Sequence, residues 1–341
     1  MRLLITTQAV DRDDQAMGFF HRWLEAFGTR CLRVHVVCLK EGEHRLSPNV
    51  SIHSLGKETG RSLFKYVSRF FRYAWSLRRE YDAVFVHMNQ EYVLLGGIFW
   101  RLSGKRIVLW RNHKKGSLLT RIASLLAHTV CYTSPDAYVA GFSNAIKMPI
   151  GIDTEVFKPR ANSAERDSIL FLGRLDAVKN PDVFLEALAL LAKDSVLFKA
   201  NVYGDPTPGR EAYAETLRKR FAGTKGISFH PAVRNDETPA LYASHAIYVN
   251  LTPSGSFDKT IGEAMASGCI VVAANEVLRG VIPDELIVDP ADAGSVARGI
   301  RAALAMDAHA RADLSARSRA YVLREHSLSL LTERLMSILN S

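Results

Sequence analysis

The sequence predicts an α/β protein of two doubly wound, Rossmann-like halves. Three features carry that prediction. Strand-like apolar runs alternate with helical stretches along the whole chain, which implies mostly parallel sheets covered by helices. A polar segment holding Pro149, Gly151 and Pro159 interrupts the alternation near the middle of 341 residues, a length that suits two hydrophobic cores better than one. Residues 168–181, SILFLGRLDAVKNP, run from a buried strand through a glycine exit into a helix start, the kind of carboxyl-edge junction at which open α/β sheets bind ligands.

The first half opens with a strand at residues 3–6, a helix over 18–27, and strands at 33–39 and 51–55. A basic helix within 57–80 follows, then strands at 83–87 and 107–110, a helix after Lys115 and a short strand at 129–132. Ser134, Pro135 and Asp136 supply an N-cap, a first residue and a first-turn acid for one more helix. The polar segment then sets the boundary, giving domains of 1–155 and 156–326. Strands follow at 168–172, 199–203, 227–230, 246–250, 270–274 and 286–288 with helices between, and HSLSLLTERLMSILN reads as a terminal helix.

The formal charge of +9 asks for an anionic partner, and phosphorylated small molecules, acidic lipids and nucleic acid all qualify. Within residues 57–80, Lys65, Arg69, Arg72, Arg78 and Arg79 interleave with Phe64, Phe70, Phe71, Tyr73 and Trp75. Such a helix either lies on an anionic membrane or packs on the sheet with a solvated basic face. No apolar run reaches the roughly 20 residues of a membrane span, and the N-terminal apolar stretch is too short for a signal peptide. Cys31, Cys38, Cys131 and Cys269 are scattered without a CxxC pair, so reduced thiols, no zinc and a cytoplasmic protein are expected.

Two constellations carry chemistry. Asn180 as N-cap and Pro181 as first helical residue define a helix start beside Arg174 and Lys179, where free N–H groups and the helix dipole favour a phosphate or diphosphate. Two solvated cations in an ordinary turn are the alternative. Residues 253–274, PSGSFDKTIGEAMASGCIVVAA, place a Gly/Ser loop before a helix that stops at Ser267 and Gly268. Glu263, early in that helix, reads either as an acceptor for ribose or sugar hydroxyls or as a dipole-stabilising acid.

These segments, with GIDTEVFKP, GEAMASG, TQAVDRDDQAMGFFHRW, VHMNQEYVLLGG and VLWRNHKKGS, resemble the retaining GT-B-fold glycosyltransferases of family four, over nearly the whole chain. The resemblance implies two Rossmann-like domains facing across a cleft, with the terminal helix at 327–341 returning to the acceptor-side domain. It implies that Gly173, Arg174 and Lys179 bind the donor diphosphate and that Glu263 binds the donor ribose. Val233, Ser256, Phe257, Lys259 and Thr260 join them on the donor side. Where the family's first signature glutamate contacts the sugar, this chain has Gly255, and Asp258 is expected to replace that contact. His113, with Asn112, matches the family's histidine near the anomeric centre. Gly18 marks the first turn approaching donor phosphate and acceptor, with one glycine where the family has two.

The implied reaction needs no metal and no further cofactor. Arg174, Lys179 and helix-terminal amides stabilise the departing diphosphate, the acceptor hydroxyl attacks from the leaving-group side, and domain closure brings His113 and the Gly18 loop to the donor. Expected partners are a nucleotide sugar, a hydroxyl acceptor such as a lipid-linked glycan, and an anionic membrane at the inner face of the plasma membrane. Two other functions compete: a GT-B-fold glycan phosphorylase, and a non-enzymatic basic nucleotide- or nucleic-acid-binding protein. No zinc-finger, RRM or KH signature favours nucleic acid. A dinucleotide oxidoreductase is disfavoured because no GxGxxG follows the first strand.

Overall fold

A computed structural model describes residues 1–14, 16–160, 164–253 and 258–341. The chain divides into one unit of Met1–Gly151 with Leu328–Ser341 and a second of Ile152–Ser327.

The first unit contains β1 (Arg2–Val10), α1 (Gly18–Gly28), β2 (Arg33–Glu41), β3 (Val50–Ser54), α2 (Leu63–Ser76), β4 (Ala83–His87) and α3 (Glu91–Leu102). They are followed by β5 (Arg106–Trp110), α4 (Leu118–Leu126), β6 (Thr129–Tyr132) and β7 (Ala145–Lys147). Its sheet is parallel, in the order β3-β2-β1-β4-β5-β6-β7. Central strands buried on both faces explain the unbroken apolar runs of the sequence.

On one face, α1 buries Phe20, Trp23, Leu24 and Phe27, spaced as a helical stripe, against the terminal helix, which buries Leu331, Leu335 and Leu339. On the other, α2, α3 and α4 cover Phe70, Trp100 and Ala123. Gly151, where this unit's main segment ends, has φ of 76° and would place a Cβ 2.4 Å from Leu331 and 2.8 Å from Trp23, so this close-packed exit requires glycine.

The second unit contains β8 (Glu165–Leu172), α5 (Pro181–Lys193), β9 (Lys199–Tyr203), α6 (Glu211–Phe221), β10 (Ile227–His230) and α7 (Thr238–Ala243). β11 (His245–Asn250), α8 (Lys259–Ala266), β12 (Ile270–Ala273), α9 (Ala293–Ala305) and α10 (Ala308–His326) complete it, and α11 (Leu328–Asn340) belongs to the first unit. The sheet order is β10-β9-β8-β11-β12, again parallel. Arg319 of α10 donates to the carbonyls of Ala266, at the end of α8, and of Phe157, so a cation answers the helix's negative end.

Three expectations need correction. Ser134, Pro135 and Asp136 start no α-helix: only a single 3₁₀ turn forms at Tyr138–Gly141, after which Ala145 bonds back to Phe142 and the chain enters the edge strand β7. Residues 286–288 form no strand but a 3₁₀ turn, Asp284–Leu286, and one bridge from Ile287 to Ala273, because the run serves burial rather than a ladder. The basic helix is shorter than 57–80, starting after Ser62, whose hydroxyl accepts from Lys65 N. The stretch between the strands at 83–87 and 107–110 also forms a helix, α3, whose uniform hydrophobicity conceals the helical period.

Candidate active site

The second unit's strand order reverses between β8 and β11, so the loops leaving those strands part at the sheet's carboxyl edge, the position at which doubly wound folds bind ligands. Loop 173–180 carries Arg174 and Lys179. Its neighbour leads from β11 to α8. The first loop is fastened to the turn after β9 by Gly173 N to Tyr203 O (3.1 Å), Leu175 N to Asp205 O (3.1 Å) and Thr207 Oγ1 to Asp176 (2.9 Å).

Lys179 closes a 3₁₀ turn and points across to the second loop. Its Nζ donates to Thr252 Oγ1 at 3.0 Å and to the Asp258 carboxylate. Asp258 Oδ2 also accepts from Asn250 Nδ2 (3.1 Å) and Thr252 Oγ1 (3.1 Å), and Oδ1 accepts from Thr260 Oγ1 (2.9 Å) and Thr260 N (3.3 Å). Burial alone would push the Asp258 pKa up. The charge and hydrogen bond of Lys179, with the donors of Asn250 and Thr260, outweigh it and hold the carboxyl at about 2.

This geometry revises two expectations. Asp258 does not offer a free carboxylate to a sugar: its oxygens are spent on Lys179, Thr252, Asn250 and the start of α8, where it is the N-cap. Asn180 occupies the N-cap position of α5 but in the left-handed region, φ 48°, so its side chain does not cap that helix. Its Nδ2 instead donates to Leu251 O at 2.9 Å, a second tie between the loops.

Arg174 is exposed, and among the described residues its guanidinium has no hydrogen-bond partner. Lys259 and Thr260 form the first turn of α8, and Glu263 lies one turn on, 4 % exposed, with Tyr242 Oη donating to Oε2 at 3.4 Å. Val233 is half-buried in the loop after β10. Gly255, Ser256 and Phe257 lie outside the described residues.

In the first unit the reversal falls between β1 and β4. Gly18 is buried at the start of α1, its N–H donating to Asp14 O at 2.8 Å. After β4, Met88 takes φ of 68° without being glycine and is exposed, a backbone feature invisible in the sequence. His87 is no surface ligand, because its ring stacks on Phe20 at 4.0 Å and Nδ1 lies 3.1 Å from Thr7 Oγ1.

Loop 111–117, after β5, carries Asn112 and His113. Asn112 accepts from Thr133 N at 2.6 Å and donates to Thr133 Oγ1, which ties the exits of β5 and β6 together and leaves its amide committed. His113 is exposed; Lys115 N donates to its Nδ1 at 3.0 Å, so among the described residues Nε2 is the ring nitrogen without a hydrogen-bond partner. Gly116 backs this turn so closely that a Cβ would stand 2.0 Å from the Tyr138 ring. Among the described residues no group of three or more His, Cys, Asp or Glu is placed to hold a metal ion.

The two parallel sheets have the GT-B glycosyltransferase fold. HepE of Anabaena, solved with UDP, superposes with a TM-score of 0.79 at 15 % identity over 100 % of both chains. Sucrose-phosphate synthase of Thermosynechococcus elongatus gives 0.76 at 18 % identity, over 99 % of this chain and 98 % of that one. Residues 166–306 match the family described as glycosyl transferases group 1, and residues 13–113 match the glycosyl transferase 4-like family.

Two curated relatives are D-inositol 3-phosphate glycosyltransferase of Geodermatophilus obscurus and sulfoquinovosyl transferase SQD2 of Arabidopsis thaliana. The first is 31 % identical over 191 residues, covering 50 % of this chain and 42 % of that protein. The second is 27 % identical over 180 residues, covering 49 % and 33 %. The matched segments thus span less than half the length of each relative.

Proposed function

We propose that the protein is a retaining, metal-independent glycosyltransferase that moves a sugar from a nucleotide-diphosphate sugar to a hydroxyl acceptor in the synthesis of a cell-envelope polysaccharide or glycolipid. The observation that carries this reading is the Arg174–Lys179 pair at the switch point of the second unit. Lys179 has three donor protons and spends two on Thr252 and Asp258, which leaves one for a phosphate oxygen. Because Asp258 neutralises Lys179, the net positive charge for a leaving diphosphate comes from Arg174, aided by the amides at the start of α5 and α8.

In this reading Glu263 receives the ribose, the first unit supplies the acceptor side, and Nε2 of His113 meets the donor sugar or the attacking hydroxyl. The leaving diphosphate takes the hydroxyl proton, so no side-chain nucleophile is required. HepE, solved with UDP and with UDP-glucose, favours a uridine donor as the first to try.

The test is a thermal-shift panel of nucleoside diphosphates and their sugars, followed by assay of nucleoside diphosphate release and NMR of the product's anomeric configuration. A folded-state ligand raises the melting temperature. Stabilisation by one donor, with turnover and retained configuration, is expected. A panel with no stabilising nucleotide would remove the assignment.

A further inference from the structure

We infer that the outer surface of α2, α3 and α4 is a docking face for an anionic phospholipid bilayer. The three helices lie side by side on one side of the first unit's sheet. Trp75 of α2 meets Phe99 of α3 at 5.7 Å between ring centroids, and Arg101 of α3 donates to Leu126 O of α4 at 2.8 Å. Gly97 brings α3 close to α4, since a Cβ there would lie 3.1 Å from Leu126.

Each helix buries one apolar stripe in the core and exposes another. Phe64 of α2 is 85 % exposed and Trp75 59 %; Leu102 of α3 is 85 % exposed and Leu125 of α4 77 %. Leu63 and Phe71 of α2, Ile98 of α3, and Leu118, Leu119 and Ile122 of α4 are exposed as well, more apolar positions on three adjacent helices than isolated surface residues account for. Its charge is one-sided. The helices themselves carry Lys65, Arg69 and Arg72 on α2, Arg101 on α3 and Arg121 on α4, against one acid, Glu91 at the start of α3. Arg78 stands over the Trp75 ring at 4.3 Å, so the exposed indole presents an apolar body beside a cation.

Apolar side chains interleaved with cations complement lipid acyl chains beneath anionic headgroups. A protein partner would need a matching acidic rim around an apolar centre, whereas a bilayer supplies both along its whole surface. The N-terminus of α4 begins where the His113 loop ends, so Leu118 and Leu119, both exposed, lie between this face and the candidate acceptor edge. A membrane-resident hydroxyl acceptor would be met there. That last step rests on the proposed transferase reading, but the docking does not.

Trp23, Trp100 and Trp110 are buried, so a change in tryptophan emission on docking reports Trp75. The full chain should cosediment with phosphatidylglycerol vesicles at low salt, not with phosphatidylcholine vesicles, and its emission should shift to the blue. Trp75→Phe should lose the shift and keep binding. Arg61→Gln with Arg72→Gln should weaken binding roughly thirtyfold, and Leu102→Asp with Leu125→Asp should abolish it at unchanged melting temperature. Three results would overturn the inference: no binding to phosphatidylglycerol at low salt, binding without the Trp75 shift, or a lipid-free dimer that buries Trp75. Because no nucleotide is present, loss of the donor assignment would leave this result standing.

Discussion

The two units offer their carboxyl edges to chemistry in different ways. In the second, a partly buried polar network of Lys179, Asp258, Thr252, Asn250 and Thr260 joins two loops across the switch point before any ligand arrives. In the first, an exposed histidine rides on a short turn held by Lys115 backbone and by Gly116 against Tyr138. One edge is preorganised by charges fixed in place, the other by backbone geometry. On the proposed transferase reading, the difference suits a donor site whose task is constant, recognition of a diphosphate, and an acceptor site whose task varies with the acceptor.

The contrast can be broken at Arg174 first. Arg174→Ala removes an exposed group without a hydrogen-bond partner among the described residues, so the melting temperature should hold while turnover falls about 10²- to 10³-fold, the usual loss for one donor aimed at transition-state charge. Equal loss of stability and turnover would assign Arg174 to structure instead.

Lys179→Ala leaves the partly buried Asp258 without its cation and should destabilise by about 2 kcal/mol in a urea melt, less than the loss from a fully buried broken pair. Lys179→Ala with Asp258→Asn should regain most of that stability without regaining donor affinity. The acid limb of stability gives the sign. Because the folded carboxyl is held at about 2, below its unfolded value near 4, its contribution is full above pH 4 and is lost as pH falls towards 2. The difference between wild type and the double variant should therefore be constant above pH 4 and shrink below it.

On the acceptor side, His113→Ala should lower kcat about 10- to 100-fold with donor affinity unchanged, a change read by comparing turnover with nucleotide binding. Gly116→Ala should act in the same direction and more weakly, since it touches His113 only through the turn.

Much of this architecture was legible. Strand alternation, the junction at residues 168–181, the helix bearing Glu263 and the terminal helix all follow from local pattern, because buried parallel strands and capped helices leave local signatures. What the sequence concealed is long-range. Lys179 and Asp258 are far apart in the chain, so Asp258 reads as a free carboxylate in a Gly/Ser loop until the fold brings β8 and β11 side by side. Asn180 looks like an N-cap because residue preference cannot show that its backbone is left-handed. Residues 134–136 carry every local helix-start signal, yet the chain must enter β7 within a few residues, and tertiary pairing overrides the preference.

The central claim is that Arg174 and Lys179 grip a donor's diphosphate, and titration calorimetry with UDP, or with whichever nucleoside diphosphate stabilises the wild type, tests it most directly. Affinity should fall at least tenfold in Arg174→Ala and in Lys179→Ala with Asp258→Asn, both folded. Unchanged affinity in both variants would contradict it.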